Sequence, residues 1–122
     1  MRIIIVEDEE LVANILQASF SGYTYQFYFD AVSASEALAK HHFDLLITDI
    51  TMPGIGGGER LIVEANNRDI PSVVYTSASE INESFYLSIG ASAVFYKNQS
   101  IKLLIGYVND LVSKLEKHKS AS

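Results

Sequence analysis

Several residue types are absent or scarce in this chain of 122 residues, and each absence narrows what the protein can be. There is no cysteine, which excludes disulfides and thiolate zinc sites. No apolar run approaches the roughly 18 residues of a membrane-spanning helix, and the first residues lack the layout of a signal peptide. Basic residues number 9 against 15 acids, so no basic stripe could neutralise nucleic-acid phosphates. We therefore expect a cytoplasmic protein that binds neither membrane nor nucleic acid.

Length and composition predict one globular domain. The chain is long enough to bury a core without staples, and its 48% hydrophobic and 20% charged residues are ordinary for such a domain. Apolar periodicity stops after Leu115, and the last residues are polar. We expect a domain over residues 1–117, with residues 118–122 as a polar tail or the start of a linker.

Short apolar runs alternate with helical patterns about five times along the chain. Continuous apolar and β-branched runs indicate strands buried on both faces. Their alternation with helices predicts right-handed crossovers and a doubly wound parallel α/β sheet. The predicted strands cover about residues 3–6, 25–29, 45–47, 73–75 and 93–96, and the predicted helices 10–20, 59–67, 82–89 and 100–117, with a further helix that begins at Ser33 in a capping box with Glu36.

Polar residues follow the predicted strands where ligands bind in such folds, beyond the carboxyl ends. An acidic run, Glu7-Asp8-Glu9, follows the first strand, and Asp49 follows the third. Thr76 and Ser77 follow the fourth strand, and Lys97 follows the fifth. Each residue alone has an ordinary interpretation, such as a helix cap or a surface lysine. Their joint occurrence at four strand ends predicts one site.

The chemistry of these residues suggests a metal and a phosphoryl group. Clustered carboxylates repel each other unless a cation is bound or their pKa values rise. Mg²⁺ needs only one or two carboxylates, with water and a phosphate oxygen. Asp49 could then attack phosphorus as a carboxylate nucleophile, while the Thr76 hydroxyl and the Lys97 ammonium stabilise charge on the phosphoryl oxygens.

These segments resemble the receiver domains of bacterial two-component response regulators over essentially the whole chain. The matching stretches cover residues 4–9, 44–54, 73–77 and 90–97, in the family's order and spacing. The resemblance implies a flavodoxin-like, CheY-like fold with strand order 2-1-3-4-5. It implies a phosphorylation-dependent switch rather than an enzyme, because such a domain catalyses only its own phosphorylation and dephosphorylation. The implied phosphoacceptor is Asp49, and the implied phosphoryl contacts are Thr76 and Lys97.

The resemblance also implies ligands and partners. Mg²⁺ or Mn²⁺ would be held by Asp8, Asp49 and the backbone carbonyl of Thr51, with Glu7 acting mostly through water. The donor would be a histidine kinase or a phosphotransfer protein. The output would go to an effector domain or protein through the fourth helix, the fifth strand and the last helix, and this face could also form a homodimer.

Two departures from the commonest receiver pattern affect these expectations. Asn98 follows Lys97 in place of the usual proline, so we predict a trans peptide bond, because a non-proline cis bond costs about 2.5–4 kcal/mol. Receivers of NarL/LuxR-type transcription factors often lack that proline too, which suggests relatives there. Val94 occupies the position of a common aromatic switch residue, so we do not expect signalling through rotation of a ring there.

The last helix carries apolar residues off its core stripe. Leu103 and Tyr107 are four residues apart and lie on the flank of that stripe. We predict that they form a partner or self-association patch with Tyr86 of the fourth helix, on an output face that includes Val94. The alternative is a half-buried flank that packs against a neighbouring helix.

Three other functions remain as alternatives. A pseudo-receiver would act as a phosphorylation-independent interaction module, but such domains typically lack an acid, the hydroxyl or the lysine. A haloacid-dehalogenase-type phosphatase would need its nucleophile after the first strand and a second aspartate two residues on, where this chain has Thr51 after Asp49. A flavodoxin-like cofactor binder would need a phosphate-binding loop where this chain has the acidic run.

Overall fold

The computed structural model of the chain describes residues 1–52, 57–78 and 81–121, the last four by their backbone alone. Its five strands form one parallel sheet in the order β2-β1-β3-β4-β5, which confirms the predicted doubly wound α/β architecture. Strands and helices alternate along the chain: β1 (Arg2–Val6), α1 (Glu10–Ser19), β2 (Thr24–Tyr28), α2 (Ala31–Lys40), β3 (Leu45–Thr48), α3 (Gly57–Asn67), β4 (Ser72–Thr76), α4 (Glu83–Ser88), β5 (Ala91–Tyr96) and α5 (Ile101–Ala121).

The sheet divides the core into layers because alternate side chains of each strand point to opposite faces. Ile3 and Ile5 of β1 face one layer, together with the buried residues of α1 and α5. Ile4 and Val6 face the other layer, against α2 and α3. The strands β1, β3 and β4 are central and almost wholly buried, which explains their continuous apolar runs.

The start of α2 differs from the prediction. The N-cap is Asp30, whose Oδ1 accepts a hydrogen bond from the Ser33 amide at 2.7 Å, so the helix begins at Ala31 and the predicted capping box at Ser33 is wrong. Aspartate and serine are both good N-caps. The burial of Ala31 and Ala34 against the sheet selects the earlier start.

The remaining bounds agree with the prediction to within a few residues, except at the end of α5. This helix continues to Ala121, four residues beyond its predicted end at Lys117. The division into a domain and a tail at residue 117 stays a prediction. Among the described residues, no helix combines the length and the apolar character needed to span a membrane.

A polar network joins α2 to α3. The Ser35 hydroxyl lies 2.9 and 2.6 Å from the two carboxylate oxygens of Glu64, and Arg60 donates both to Glu64 at 2.7 Å and to Ser35 Oγ at 3.2 Å. Burial alone would raise the pKa of the Glu64 carboxyl, but the Ser35 hydroxyl and the Arg60 guanidinium outweigh it and lower the pKa below 4.5.

We expect Ser35→Ala to lower the free energy of unfolding by about 1 kcal/mol at neutral pH, because it removes a donor to Glu64. A carboxyl with a lowered folded pKa stabilises the fold above its unfolded pKa and loses that contribution as pH falls. The difference from wild type should therefore shrink as pH drops below 4.5. Urea unfolding followed by circular dichroism measures both effects. Ser113→Ala, at an exposed position of α5, is the control, and an equal loss there would contradict the assignment.

Candidate functional site

Backbone hydrogen bonds extend the sheet by one residue at several carboxyl ends and fix where the functional side chains begin. The Glu7 amide donates to the Tyr28 carbonyl at 3.0 Å, and the Asp49 amide donates to the Val6 carbonyl at 3.2 Å. The Lys97 amide donates to the Thr76 carbonyl at 2.8 Å. The side chains that follow β1, β3 and β5 therefore meet at one edge of the sheet, as the sequence predicts.

The Lys97 ammonium lies at the centre of this edge. Its Nζ is 2.7 Å from Asp49 Oδ2, 2.7 Å from Glu7 Oε1 and 3.6 Å from Glu9 Oε2. Glu7 and Asp49 are 1% and 3% exposed, so both carboxylates are removed from water. Buried charges of this kind persist when an opposite charge compensates them, and Lys97 supplies that charge.

Burial and pairing act in opposite directions on the two partners. Burial raises the pKa of the Glu7 carboxyl, and the nearby Lys97 ammonium offsets only part of that rise. Burial would lower the pKa of Lys97, but the hydrogen bond with Asp49 and the contact with Glu7 outweigh it and raise this pKa. The ammonium therefore stays charged at neutral pH.

The two carboxylate oxygens of Asp49 have different environments. Oδ1 accepts hydrogen bonds from the backbone amides of Ile50 at 2.7 Å and Thr51 at 3.3 Å, which fix its position. Oδ2 faces the Lys97 ammonium. Oδ1 is therefore held by two backbone amides, whereas Oδ2 is held by a side chain.

Three carboxylates at this edge are suited to a divalent cation. Oxygen atoms of Glu7, Asp8 and Asp49 all lie within 4.8 Å of one another. Asp8 is exposed and the other two are buried, so the cluster opens to solvent on the Asp8 side. Hard oxygen donors with negative charge fit Mg²⁺ or Mn²⁺. Since Lys97 brings one positive charge to three carboxylates, the cluster keeps a surplus of negative charge that favours a cation.

Thr76 and Thr51 complete the predicted set. Thr76 is fully buried, and its Oγ1 accepts a hydrogen bond from the Ala78 amide at 3.2 Å, so the hydroxyl hydrogen remains available to another acceptor. Thr51 is exposed and contributes its amide to Asp49. The predicted role of the Thr51 carbonyl as a metal ligand stays a prediction.

The structure adds two details to the predicted site. Glu9 belongs to the acidic run expected at this edge, and its carboxylate lies 3.6 Å from Lys97 Nζ. Gly57 and Gly58 belong to α3, which begins two residues before its predicted start at Glu59. Gly58 packs so closely on the residues that follow β3 that a Cβ there would lie 2.0 Å from the Asp49 carbonyl oxygen. The adjoining loop, residues 53–56, lies outside the described residues.

Residues 3–109 match the sequence profile of the response regulator receiver domain. The chain belongs to this family. Membership places it in two-component signal transduction, and the acids, hydroxyl and lysine described above stand at the strand ends where the sequence motifs predict them.

A curated relative agrees with this membership, and solved structures share the fold. The response regulator MprA of Mycobacterium ulcerans is 30% identical over 99% of this chain and 55% of its own length. The receiver domain of response regulator 1452 from Francisella superposes with a TM-score of 0.83 at 22% identity, covering 93% of this chain and 98% of that one. The activated receiver domain of RstA from Klebsiella pneumoniae gives 0.78 at 26% identity, covering 89% and 96%. The chain spans about half the length of the curated relatives it matches.

The two departures from the commonest receiver pattern have different outcomes. The Lys97–Asn98 peptide bond is trans, as predicted. Val94 lies half-buried against the cluster that packs below α4, where it fills space as an ordinary core residue. A closer relation to receivers of the NarL/LuxR type stays a prediction.

The predicted output patch of the receiver is wrong in one member. Tyr86 is buried, and its hydroxyl donates to Glu59 of α3 at 3.1 Å. Its ring therefore lies between α4 and α3 and is not part of an exposed patch. Leu103 is 53% exposed. Tyr107 is half-buried, with its ring centroid 5.4 Å from that of Phe95. It therefore packs on strand β5, whereas the alternative places this flank against a neighbouring helix. A role in output for Leu103, Tyr107 and Val94 stays a prediction.

Proposed function

We propose that this receiver domain accepts a phosphoryl group on Asp49 and acts as a phosphorylation-dependent switch. The observation that carries the proposal is the position of Asp49, whose Oδ2 faces a buried ammonium while two neighbouring carboxylates complete an acidic cluster. The donor would be a phosphohistidine on a histidine kinase or a phosphotransfer protein, and the output would pass to an effector domain or protein.

In the proposed reaction Asp49 Oδ2 attacks the phosphorus of the donor. An O–P bond forms, the P–N bond of phosphohistidine breaks, and the leaving imidazole keeps the electron pair and takes a proton from water. The Ile50 and Thr51 amides keep Oδ1 in place during this change. Their dipoles also stabilise the carbonyl oxygen of the resulting acyl phosphate.

Lys97 must change partners for this reaction to proceed. Its Nζ contacts Oδ2, the attacking oxygen, and it can turn to a phosphoryl oxygen while it keeps its contact with Glu7. The buried Thr76 hydroxyl can donate to a second phosphoryl oxygen, because it accepts from the Ala78 amide and its own hydrogen is not used in that bond. The two groups would stabilise charge on oxygens that point in different directions.

The residues that would hold Mg²⁺ or Mn²⁺ are Asp8, Asp49 and the Thr51 carbonyl, with Glu7 behind them. When bound, such a cation neutralises charge on the carboxylates and the phosphoryl oxygens. The domain would catalyse only its own phosphorylation and dephosphorylation. A cytoplasmic location and homodimer formation remain predictions.

Intact mass after incubation with acetyl phosphate and Mg²⁺ tests the proposal. We expect the wild type to gain one phosphoryl group, and we expect chelation of Mg²⁺ to abolish the gain. Asp49→Asn should gain none, while Asp110→Asn, the same change at an exposed position of α5, should behave as wild type. A gain in both the wild type and Asp49→Asn would contradict the assignment of the phosphoacceptor.

The competing function is a pseudo-receiver that binds partners without phosphorylation. It predicts no mass gain in the wild type. It also predicts that beryllium fluoride, a mimic of the phosphoryl group, does not bind in the presence of Mg²⁺. A wild type that binds beryllium fluoride but does not react with acetyl phosphate would retain the site and exclude only this donor.

A further inference from the structure

The helix α4 is too short to hold its own position. It contains six residues, Glu83–Ser88, and its N-cap Asn82 accepts from the Phe85 amide at 3.2 Å. A helix of this length forms few internal hydrogen bonds, and formation of its first turn is unfavourable in isolation. The position and order of α4 therefore depend on the contacts that it makes with the rest of the domain.

Two tyrosine hydroxyls tie α4 to its neighbours on opposite sides. On one side the buried Tyr86 of α4 donates to Glu59 of α3 at 3.1 Å. On the other side Tyr96 of β5 donates to Oε2 of Glu83, in the first turn of α4, at 2.7 Å. The first contact is anchored in the core, whereas the second lies at the surface, where water competes for both partners. The surface contact is therefore the easier one to break.

The residue that makes the surface contact adjoins the phosphorylation site. Tyr96 directly precedes Lys97, and it pairs with Thr76 of the neighbouring strand β4. The Lys97 amide donates to the Thr76 carbonyl at 2.8 Å, so these backbones are held together. A displacement of Lys97 or Thr76 toward a phosphoryl group on Asp49 therefore changes the position of Tyr96.

We infer that the Tyr96–Glu83 hydrogen bond, called the latch below, couples the state of Asp49 to the position of α4. The inference rests on the proposed function, since it assigns the route by which that site acts on the surface. A hydrogen bond weakens steeply once its length or angle departs from the ideal. A small shift of Tyr96 is therefore enough to release α4 on this side, while Tyr86 keeps it attached to α3.

The electrostatics of the latch are consistent with this role. Donation to the Glu83 carboxylate raises the pKa of the Tyr96 hydroxyl, so the proton stays on the tyrosine at neutral pH and the bond remains available. Among the described residues, a second tyrosine on this side of the domain offers a comparison. Tyr107 donates to the Ser92 carbonyl at 3.5 Å, between α5 and β5 and away from α4.

Hydrogen–deuterium exchange of α4, with and without Mg²⁺ and beryllium fluoride, tests the latch. In the wild type we expect exchange of residues 83–88 to rise when beryllium fluoride binds, because the latch opens. In Tyr96→Phe we expect exchange to be raised already in the free protein, by roughly two- to fivefold as for loss of one exposed hydrogen bond, and to change no further with beryllium fluoride.

The controls separate the latch from general loosening. Glu83→Ala should reproduce Tyr96→Phe, whereas Glu83→Gln should keep the wild-type response, because its amide oxygen still accepts. Tyr107→Phe, which also removes one tyrosine hydroxyl, should leave α4 unchanged. Wild-type protection and response in Tyr96→Phe would overturn the inference, and so would an equal effect of Tyr107→Phe.

A separate readout keeps the latch distinct from the proposed function. Intact mass after treatment with acetyl phosphate should show the same phosphoryl gain in Tyr96→Phe as in the wild type. Normal phosphorylation with an unresponsive α4 in Tyr96→Phe supports the latch. A wild type that gains no phosphoryl group would contradict the proposed function. Hydrogen–deuterium exchange of the free wild type and of free Tyr96→Phe would still decide whether Tyr96 holds α4.

Discussion

Gly58→Ala should lower the free energy of unfolding by about 3 kcal/mol, a cost at the upper end of overpacking. The sign is unexpected from helix propensity, because alanine in a helix interior is favoured over glycine by about 0.5–1 kcal/mol. The added Cβ would lie 2.0 Å from the Asp49 carbonyl oxygen and 2.7 Å from the Ile50 Cα. Both atoms are backbone, so a rotamer change cannot relieve the clash.

The same substitution should impair phosphorylation. To admit the Cβ, the segment after β3 must move away from α3, and this segment carries the Ile50 and Thr51 amides that hold Asp49 Oδ1. A displacement of about 1 Å at a reacting group can slow a reaction roughly 100-fold. We therefore expect mass gain from acetyl phosphate in Gly58→Ala to be slower by a factor of roughly 10–100.

Gly106→Ala is the matched control. Gly106 lies within α5, and a Cβ there would meet nothing within 4 Å. Propensity alone should then decide, and we expect this variant to be more stable by about 0.5–1 kcal/mol. Urea denaturation of both variants measures the difference. If Gly58→Ala were as stable as Gly106→Ala, the close packing of α3 on the segment after β3 would be contradicted.

The position of the site was predictable because it follows from topology. Asp49, Thr76 and Lys97 each come directly after an apolar run, and the carboxyl ends of parallel strands meet at one edge. That argument needs only the order of strands and helices. It does not need the rotation of any helix or the exact ends of any strand, which are the less certain parts of a sequence-based prediction.

The errors concern features that contacts distant in the sequence decide. Tyr86 lies on a helix of six residues, too short for periodicity to define a buried face, and its contact with Glu59 decides its burial. At the start of α2 either Asp30 or Ser33 could serve as the N-cap. Packing of Ala31 and Ala34 on the sheet selected Asp30. The early start of α3 falls on two glycines. Because glycine has no side chain, these positions add nothing to the apolar periodicity from which the helix was predicted.

Lys97→Met should lower the free energy of unfolding by about 3 kcal/mol at neutral pH in the presence of a chelator. The substitution keeps the volume of the side chain but removes the ammonium from Glu7 and Asp49, both almost fully buried. Removing one partner of a buried ion pair costs about 3–5 kcal/mol, because an uncompensated charge remains. The lower figure is expected because the cluster opens to solvent on the Asp8 side.

Mg²⁺ and pH should each change the size of this loss. A divalent cation at the acidic cluster can replace part of the missing charge, so the loss should be smaller with Mg²⁺ than with chelator. Lys102→Met, at an exposed position of α5, should cost little under either condition. If Mg²⁺ stabilised Lys97→Met no more than it stabilises wild type, the acidic cluster would not be the place where the cation compensates.

The pH dependence has a definite sign. Burial raises the pKa of Glu7 above 4.5, and the Lys97 ammonium opposes that rise, so its removal should raise this pKa further. A carboxyl with a raised folded pKa keeps its full contribution to stability below its unfolded pKa and loses it as pH rises through the folded value. The deficit of Lys97→Met relative to wild type should therefore be smallest near pH 4.5 and should grow toward neutral pH. Urea unfolding in chelator across this range measures the trend, and a deficit that is constant with pH would mean that Glu7 does not depend on Lys97 for its charge.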